Sequence, residues 1–305
     1  MAFVLGIDIG GTNVRLGLVN KEYHLSDFIQ LKTESVFKSN DPVKDLSNTI
    51  HGYFKTYLES ECIRVVSIGF PSTIDKTTKI VLSTPNISTL QHVQMVDELS
   101  KRLNIPIYIN RDVNLLMLFD IHQQKINISD VLLGFYFGTG IGNTIFIDGK
   151  PLKGKNGVTA ELGHIPMIQD KTRCTCGNIG CLENHASGKY LVELTQNELK
   201  GTDISEIFTI HAEHPKILEF IENMAIAVAL EVSLLDPECI IIGGGILQMK
   251  DFPKFLFETR IKDRTRKPMP SENLEIIYAQ DGQENGIIGA GIYALQQLKM
   301  SGDEI

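Results

Sequence analysis

Between Glu161 and Glu183 the chain reads ELGHIPMIQDKTRCTCGNIGCLE, and three of its five cysteines, Cys174, Cys176 and Cys181, follow His164 inside that stretch. One imidazole and three thiolates complete a tetrahedral zinc sphere and leave no position for water or substrate. Zinc held this way is structural: it shapes a loop and performs no chemistry. Gly177 and Gly180 supply the tight turns that a metal knuckle needs. The alternative is three incidental thiols of a reducing compartment. Glu161 and Glu183 bracket the ligands. Carboxylates beside a rigid knot are well placed to accept hydrogen bonds from a polyol.

A second kind of chemistry is written in glycine. An apolar run over 3–9 ends in DIGGT (8–12) and a further apolar run follows over 14–19, which predicts strand, turn, strand. The N–H groups of Gly10, Gly11 and Thr12 can point inward and cradle phosphate oxygens. Asp8, at the strand end, could hold magnesium directly or through water. A plain hairpin is the other reading. The pattern then returns as a strand over 131–137, the turn GTGIG (138–142) and a strand over 143–147. That echo predicts an internal duplication whose two turns, through Gly138, Thr139, Gly140 and Gly142 in the second, clamp one polyphosphate. GTGIG lacks the spacing of a dinucleotide fingerprint, and in GKPLKGKN (149–156) Asn156 stands where a P-loop needs Ser or Thr.

Two further points concern ligands. The short strand 239–242 delivers Gly243, Gly244 and Gly245, which either let backbone approach a flat ligand such as adenine or form a loose turn. NRDVN (110–114) follows a strand over 105–109 and opens a helix, so Asp112 is either a working carboxylate at a strand tip or a helix cap.

The elements that must position these residues alternate between α and β. Asp41 and Pro42 start a helix running to about 59, a buried strand over 63–70 ends in the loop GFPS, and a short strand over 80–82 leads into the loop STPNIS (83–88). Helical spacing recurs over 93–103, after 112 to about 123, and over 186–199, 218–235 and 285–298. With 305 residues, two lobes are the natural expectation, divided as 1–113 plus about 286–305 and 114–285. Apolar content of 43% and charged content of 22% are those of a globular protein. The net charge of −8 argues against a nucleic-acid partner, and the basic run KDRTRK (262–267) reads as a solvated helix end. Cys62 and Cys239 read as small buried hydrophobes. No leader or long apolar run is present, so neither export nor a membrane is expected; a reducing cytoplasm fits the thiols.

In order and spacing, DIGGTNVR (8–15), GTGIG, the ELGH-to-CLE stretch and the GGG turn resemble the ROK sugar kinases over nearly the whole chain. The resemblance implies two actin-like (ribonuclease H-like) α/β lobes around a cleft, a structural zinc loop, and a final helix returning to the first lobe. It implies ATP with magnesium as phosphoryl donor, Asp112 as catalytic base, and a homodimer. It further implies sugar contacts from Asn110, Glu161, His164 and Glu183, with Ser72 and Asn86 in the adjoining loops, and phosphate contacts that extend to Gly6 and Asn13. GFPSTID (69–75), STPNIS, NRDVNL (110–115) and AELGHIPM (160–167) are most similar to the branch that phosphorylates D-allose at its 6-hydroxyl. Arg111 departs from the Asn that generally precedes the catalytic Asp, and it agrees with that branch. Its expected role is to donate to the sugar or to hold Glu161 or Glu183; pointing outward over the helix start is the alternative. A kinase for glucose, N-acetylmannosamine or fructose is the neighbouring reading. A sugar-responsive transcription factor is the distant one, since seven residues precede Asp8, too few for a DNA-binding domain.

Overall fold

The structure, a computed structural model, describes residues 3–57, 63–85, 87–128, 130–168 and 170–302. Cys62 and Asn86 lie outside these described residues. The chain divides into two compact units, one of Met1–Lys125, Lys153–Thr159 and Gly282–Ile305, the other of Ile126–Leu152 and Ala160–Asp281.

The first unit contains strands β1 (Phe3–Ile9), β2 (Asn13–Val19) and β3 (Leu25–Lys32), helices α1 (Thr33–Val36) and α2 (Pro42–Tyr57), and strands β4 (Ile63–Phe70), β5 (Thr73–Ile74) and β6 (Val81–Ser83). Helix α3 (Met95–Leu103), strand β7 (Ile107–Arg111) and helix α4 (Asp112–Gln124) complete its first passage. The second unit contains β8 (Val131–Phe137), β9 (Ile141–Ile147), β10 (Lys150–Pro151), α5 (Gly188–Asn197), α6 (Ile207–Ile210), α7 (Pro215–Leu235), β11 (Cys239–Gly243), α8 (Lys254–Arg264) and β12 (Glu275–Tyr278). The chain then returns to the first unit as α9 (Asn285–Ser301).

The first sheet runs β3-β2-β1-β4-β7 and the second β10-β9-β8-β11-β12. Each has an antiparallel glycine hairpin at its middle, and the strand opening that hairpin continues parallel into the next two strands. The duplication read from two glycine turns therefore extends to the order and sense of all five strands.

Local sequence accounts for most element ends. Asp41 Oδ1 accepts from the Lys44 N–H at 2.9 Å, capping α2. Val43, Leu46, Ile50, Tyr53 and Phe54 then bury one helical face. Helix α7 starts with Pro215 at its first turn and stops at Asp236 in the left-handed conformation. Lys262 and Arg264 lie in the last turn of α8, as the basic run suggested, and Cys239 is buried in β11. Strands β3 and β12 are sheet edges and bury less of their surface than the inner strands.

The division between units differs from the expected 113/114. Helix α4 stays with the first unit because it packs against α9, where a Cβ on Gly289 would collide with the Leu115 carbonyl. The boundary falls after Lys125, and Lys153–Thr159 also belongs to the first unit. Among the described residues no helix is long and apolar enough to cross a membrane.

Candidate functional site

In the first unit, parallel register places Asp8 beside Gly69, and Gly69 beside Asn110. The three strand tips lie at one level of the sheet. The turn after β1 is closed by the Gly10 N–H donating to the Asn13 carbonyl at 2.8 Å. Thr33 holds it from outside, its hydroxyl donating to the Gly10 carbonyl at 2.7 Å and its N–H to the Thr12 carbonyl at 2.9 Å. Asp8 pairs with Arg15 at 3.2 Å. Burial raises the Asp8 pKa, and the Arg15 charge offsets only part of that. A Cβ on Gly286 would stand 2.8 Å from Asp8 Cγ, so the first turn of α9 reaches this carboxylate only because residue 286 is glycine.

Gly6 lies inside β1, where a Cβ would come 2.6 Å from the Ile287 carbonyl, so its missing side chain makes room for the crossing of α9.

At the end of β7 the structure gathers Asn110, Arg111 and Asp112. Asn110 is 2% exposed; its Oδ1 accepts from the Arg111 N–H at 2.9 Å and from Asn114 Nδ2 at 2.8 Å. Its Nδ2 is buried with no partner among the described residues, a donor awaiting an acceptor. Arg111, not Asp112, stands at the N-cap position of α4 and makes no side-chain capping hydrogen bond, while Asp112 opens the helix and its Oδ1 accepts from the neighbouring Val113 N–H at 2.8 Å. Arg111 does not point outward: its Nη1 donates to the Thr159 carbonyl at 2.6 Å. Ser72 is buried, and its hydroxyl shares a 2.5 Å hydrogen bond with Thr84.

In the second unit the knuckle is assembled. Ligand atoms of His164, Cys174, Cys176 and Cys181 all lie within 4.8 Å of one another. Cys176 and Cys181 Sγ are 3.6 Å apart, and Cys174 Sγ is 3.7 Å from His164 Nδ1. Tetrahedral zinc with 2.3 Å bonds to sulfur requires edges of about 3.8 Å, so this donor set fits the ion. Gly177 and Gly180 have φ of +99° and +77°, the left-handed turns foreseen for them. Burial and the two neighbouring thiols push Cys181 up to about 12, a crowding of incipient thiolates that a divalent cation would relieve.

Both bracketing carboxylates are tied to this scaffold. Glu161 Oε2 stands 3.8 Å from His164 Nε2, on the side of the ring away from the cysteines. A carboxylate there orients a metal-binding imidazole. Glu183 Oε2 accepts from the Ile141 N–H at 2.9 Å, at the foot of the GTGIG turn, and a Cβ on Gly140 would collide with it. The start of α5 closes on the same turn, Gly188 N–H donating to the Gly138 carbonyl at 2.7 Å and Lys189 N–H to the Thr139 carbonyl at 3.2 Å. The GGG segment joins them: Gly244, at φ +97°, packs on the Phe137 backbone, to whose carbonyl the Ile246 N–H donates at 3.0 Å. The three glycines are not equivalent. Gly243 completes β11 with no room for a Cβ beside Ala279, whereas a Cβ on Gly245 would meet nothing within 4 Å. Gly142 lies in β9 opposite Tyr136, one step beyond the turn itself.

Several contributors went unread in the sequence. Thr159 lies outside the motifs and Ala160 only opens AELGHIPM, and their part follows from the contact of Thr159 with Arg111 and from a φ of +61° at Ala160. The clamp of His185 Nε2 on Asp170 Oδ2 at 2.9 Å is equally silent. Gly286 had a signal, a glycine in the first turn of a helix where a better helix former would be expected.

The chain matches the profile of the ROK family over residues 4–297 and belongs to that family. It is 27% identical over 309 residues to a glucokinase of Thermotoga maritima, covering 94% of this chain and 95% of that one. An N-acetyl-D-glucosamine kinase of Pectobacterium atrosepticum is likewise 27% identical over 308 residues, with coverage of 95% and 98%. In fold it resembles the crystal structure of a ROK glucokinase from Streptomyces griseus in complex with glucose and AMPPNP, with a TM-score of 0.78 at 24% identity over 97% of this chain and all of that one.

Proposed function

We propose that the protein is an ATP-dependent hexose kinase that phosphorylates the 6-hydroxyl of D-allose, giving D-allose 6-phosphate and ADP. The observation that carries the kinase reading is the tip of β7, where Asp112 opens a helix two residues after Asn110, whose Nδ2 is buried with no partner among the described residues. That arrangement suits a base next to a polyol oxygen. Kinship with glucokinases and N-acetyl-D-glucosamine kinases supports a hexose as acceptor. The choice of allose rests on the four motifs around Ser72, Asn86, Asn110 and Glu161 and on Arg111.

In this reading Asp112 accepts the proton of the attacking hydroxyl, and Asn110, Glu161, His164 and Glu183 hold the sugar, joined by Ser72 and Asn86. The two glycine turns receive the phosphates, with Gly243–Gly245 at the adenine. Magnesium would neutralise charge on the phosphates near Asp8, whose pairing with Arg15 leaves it a weak direct ligand. Positioning supplies most of the rate in phosphoryl transfer, so groups held by metal and by buried hydrogen bonds suit the task. The chain works as a homodimer in the cytoplasm.

The relatives' names favour one second reading, a kinase whose preferred acceptor is glucose or an N-acetylated hexose. An ADP-release assay across a hexose panel separates the two. Allose should exceed glucose in specificity constant by well over tenfold; a preference for glucose removes the allose assignment, and no ADP release with any hexose removes the kinase. In the same preparation Asp112→Asn should lower turnover about 100- to 10,000-fold while calorimetric sugar binding persists. Near-normal turnover would place the base elsewhere.

A further inference from the structure

Strand β3 pairs with β2 as far as Asn13 and Lys32, at the edge of the turn that follows β1. Thr33 is the next residue and is buried, whereas Gly11 and Thr12 at the tip of the turn are exposed. The Thr33 N–H donates to the Thr12 carbonyl at 2.9 Å, a bond that any residue with a main-chain N–H could make. The Thr33 hydroxyl adds what the main chain cannot: it reaches past that carbonyl and donates to the Gly10 carbonyl at 2.7 Å. In a planar trans peptide the C=O and the N–H point in opposite directions. A Gly10 carbonyl held toward Thr33 therefore turns the Gly11 N–H to the side away from it. Among the described residues no acceptor takes the N–H of Gly11 or of Thr12.

The second unit reaches the same arrangement with different donors. There the Gly188 and Lys189 N–H groups hold the Gly138 and Thr139 carbonyls at 2.7 and 3.2 Å, which turns the N–H groups of Thr139 and Gly140 the other way. In each turn the carbonyls are tied back and main-chain donors are left to face a ligand, the disposition that suits an anion. We propose that Thr33 is a positioning residue for phosphate: through the Gly10 carbonyl its hydroxyl aims the Gly11 N–H at a phosphoryl oxygen of the nucleotide. Thr33 itself makes no contact with the ligand. The inference rests on the hexose-kinase reading for the identity of the anion, but not for the link between Thr33 and the turn.

The test has two arms. Thr33→Val keeps the shape and the main-chain bond and removes the hydroxyl. It should raise the ATP KM about 5- to 30-fold, the worth of one hydrogen bond whose acceptor is left without a donor, and move the sugar KM less than about twofold. Thr33→Ser keeps a hydroxyl and should stay within about threefold of the natural protein. An unchanged ATP KM in Thr33→Val, an equal rise in both KM values, or a serine variant as impaired as the valine one overturns the proposal. Should Thr33→Val not fold, Thr33→Ala removes the same hydroxyl and is read in the same way. The second arm needs no turnover. The Gly10 amide is bonded across the turn to the Asn13 carbonyl. Its hydrogen exchange should be at least about fivefold faster in Thr33→Val and return toward the natural rate in Thr33→Ser. Calorimetry with AMPPNP and magnesium should rank the three proteins in the same order. Unchanged exchange overturns the link even if the protein turns over a hexose, and failure of the natural protein to bind AMPPNP overturns the phosphate assignment. Absence of hexose turnover alone removes the kinase reading and leaves this arm to decide.

Discussion

The two glycine hairpins stand at the same place in two sheets of the same order, yet they are braced by different means. In the first, the carboxylate is local: Asp8 is part of β1 and meets Arg15 directly across the hairpin. In the second, the corresponding pair is Tyr136 and Gly142, counting from the closing pairs Ile9–Val14 and Phe137–Ile141. The carboxylate comes instead from Glu183, beside Cys181 in the knuckle, and it binds the Ile141 N–H. The difference teaches that the sheet frame repeats as a unit while charge at the turn does not. The first turn is braced within its own unit by its hairpin and by Thr33, and the second by a loop that carries the candidate metal-ligand cluster. Glu183 therefore links the proposed sugar side to the proposed phosphate side within one unit.

The largest test of that contrast is the metal. Structural zinc contributes on the order of 10 kcal/mol of binding energy coupled to folding. Chelation, or Cys181→Ser, should abolish activity and speed hydrogen exchange at residues 138–142 while residues 8–13 keep their protection. Fully active protein without zinc, or equal loosening of both turns, would break the comparison.

Next in size is the buried carboxyl that meets Asn143 of the second hairpin. Asn143 Nδ2 donates to Glu231 Oε2 at 2.9 Å, and the matching position in the first hairpin is the fully buried Leu16. Burial raises the Glu231 pKa to about 7, with the Asn143 hydrogen bond opposing it. A carboxyl whose folded pKa lies above its unfolded value of 4.5 contributes stability below that value and loses it as pH rises through about 7. Glu231→Gln keeps an acceptor for Asn143 and should flatten this dependence, making the variant more stable than the natural protein by about 3 kcal/mol at pH 8. Urea midpoints from pH 5 to 8 would show it, and parallel curves for the two proteins would refute it.

The smallest effect compares two glycines of one turn. A Cβ on Gly140 would displace Glu183, whereas a Cβ on Gly138 would meet nothing within 4 Å. Gly140→Ala should cost about 2 kcal/mol and Gly138→Ala less than about 0.5 kcal/mol in thermal denaturation. Equal costs would mean that Glu183 does not brace the turn.

Sequence by itself determined the chemistry-bearing parts whose reach is short. Four candidate metal ligands, two of them separated by one residue, have the types and spacing of a closed metal site, and Gly177 and Gly180 declare their turns because no other residue enters the left-handed region as freely. The glycine hairpins, the capped start of α2 and the strand-to-helix step at Asn110–Asp112 were legible for the same reason: local conformation follows from neighbouring residue types. What the fold alone decided was long-range. That Gly6 serves the crossing of α9, that α4 belongs with the first unit, that Arg111 grips Thr159 and that Glu183 holds Ile141 are contacts between residues 42 to 281 positions apart or between whole helices. No periodicity records such contacts, because a hydrogen bond to a main-chain amide or carbonyl asks nothing of the side chain at that position. The donor or acceptor is present in nearly every residue, and only the tertiary structure chooses which one is used.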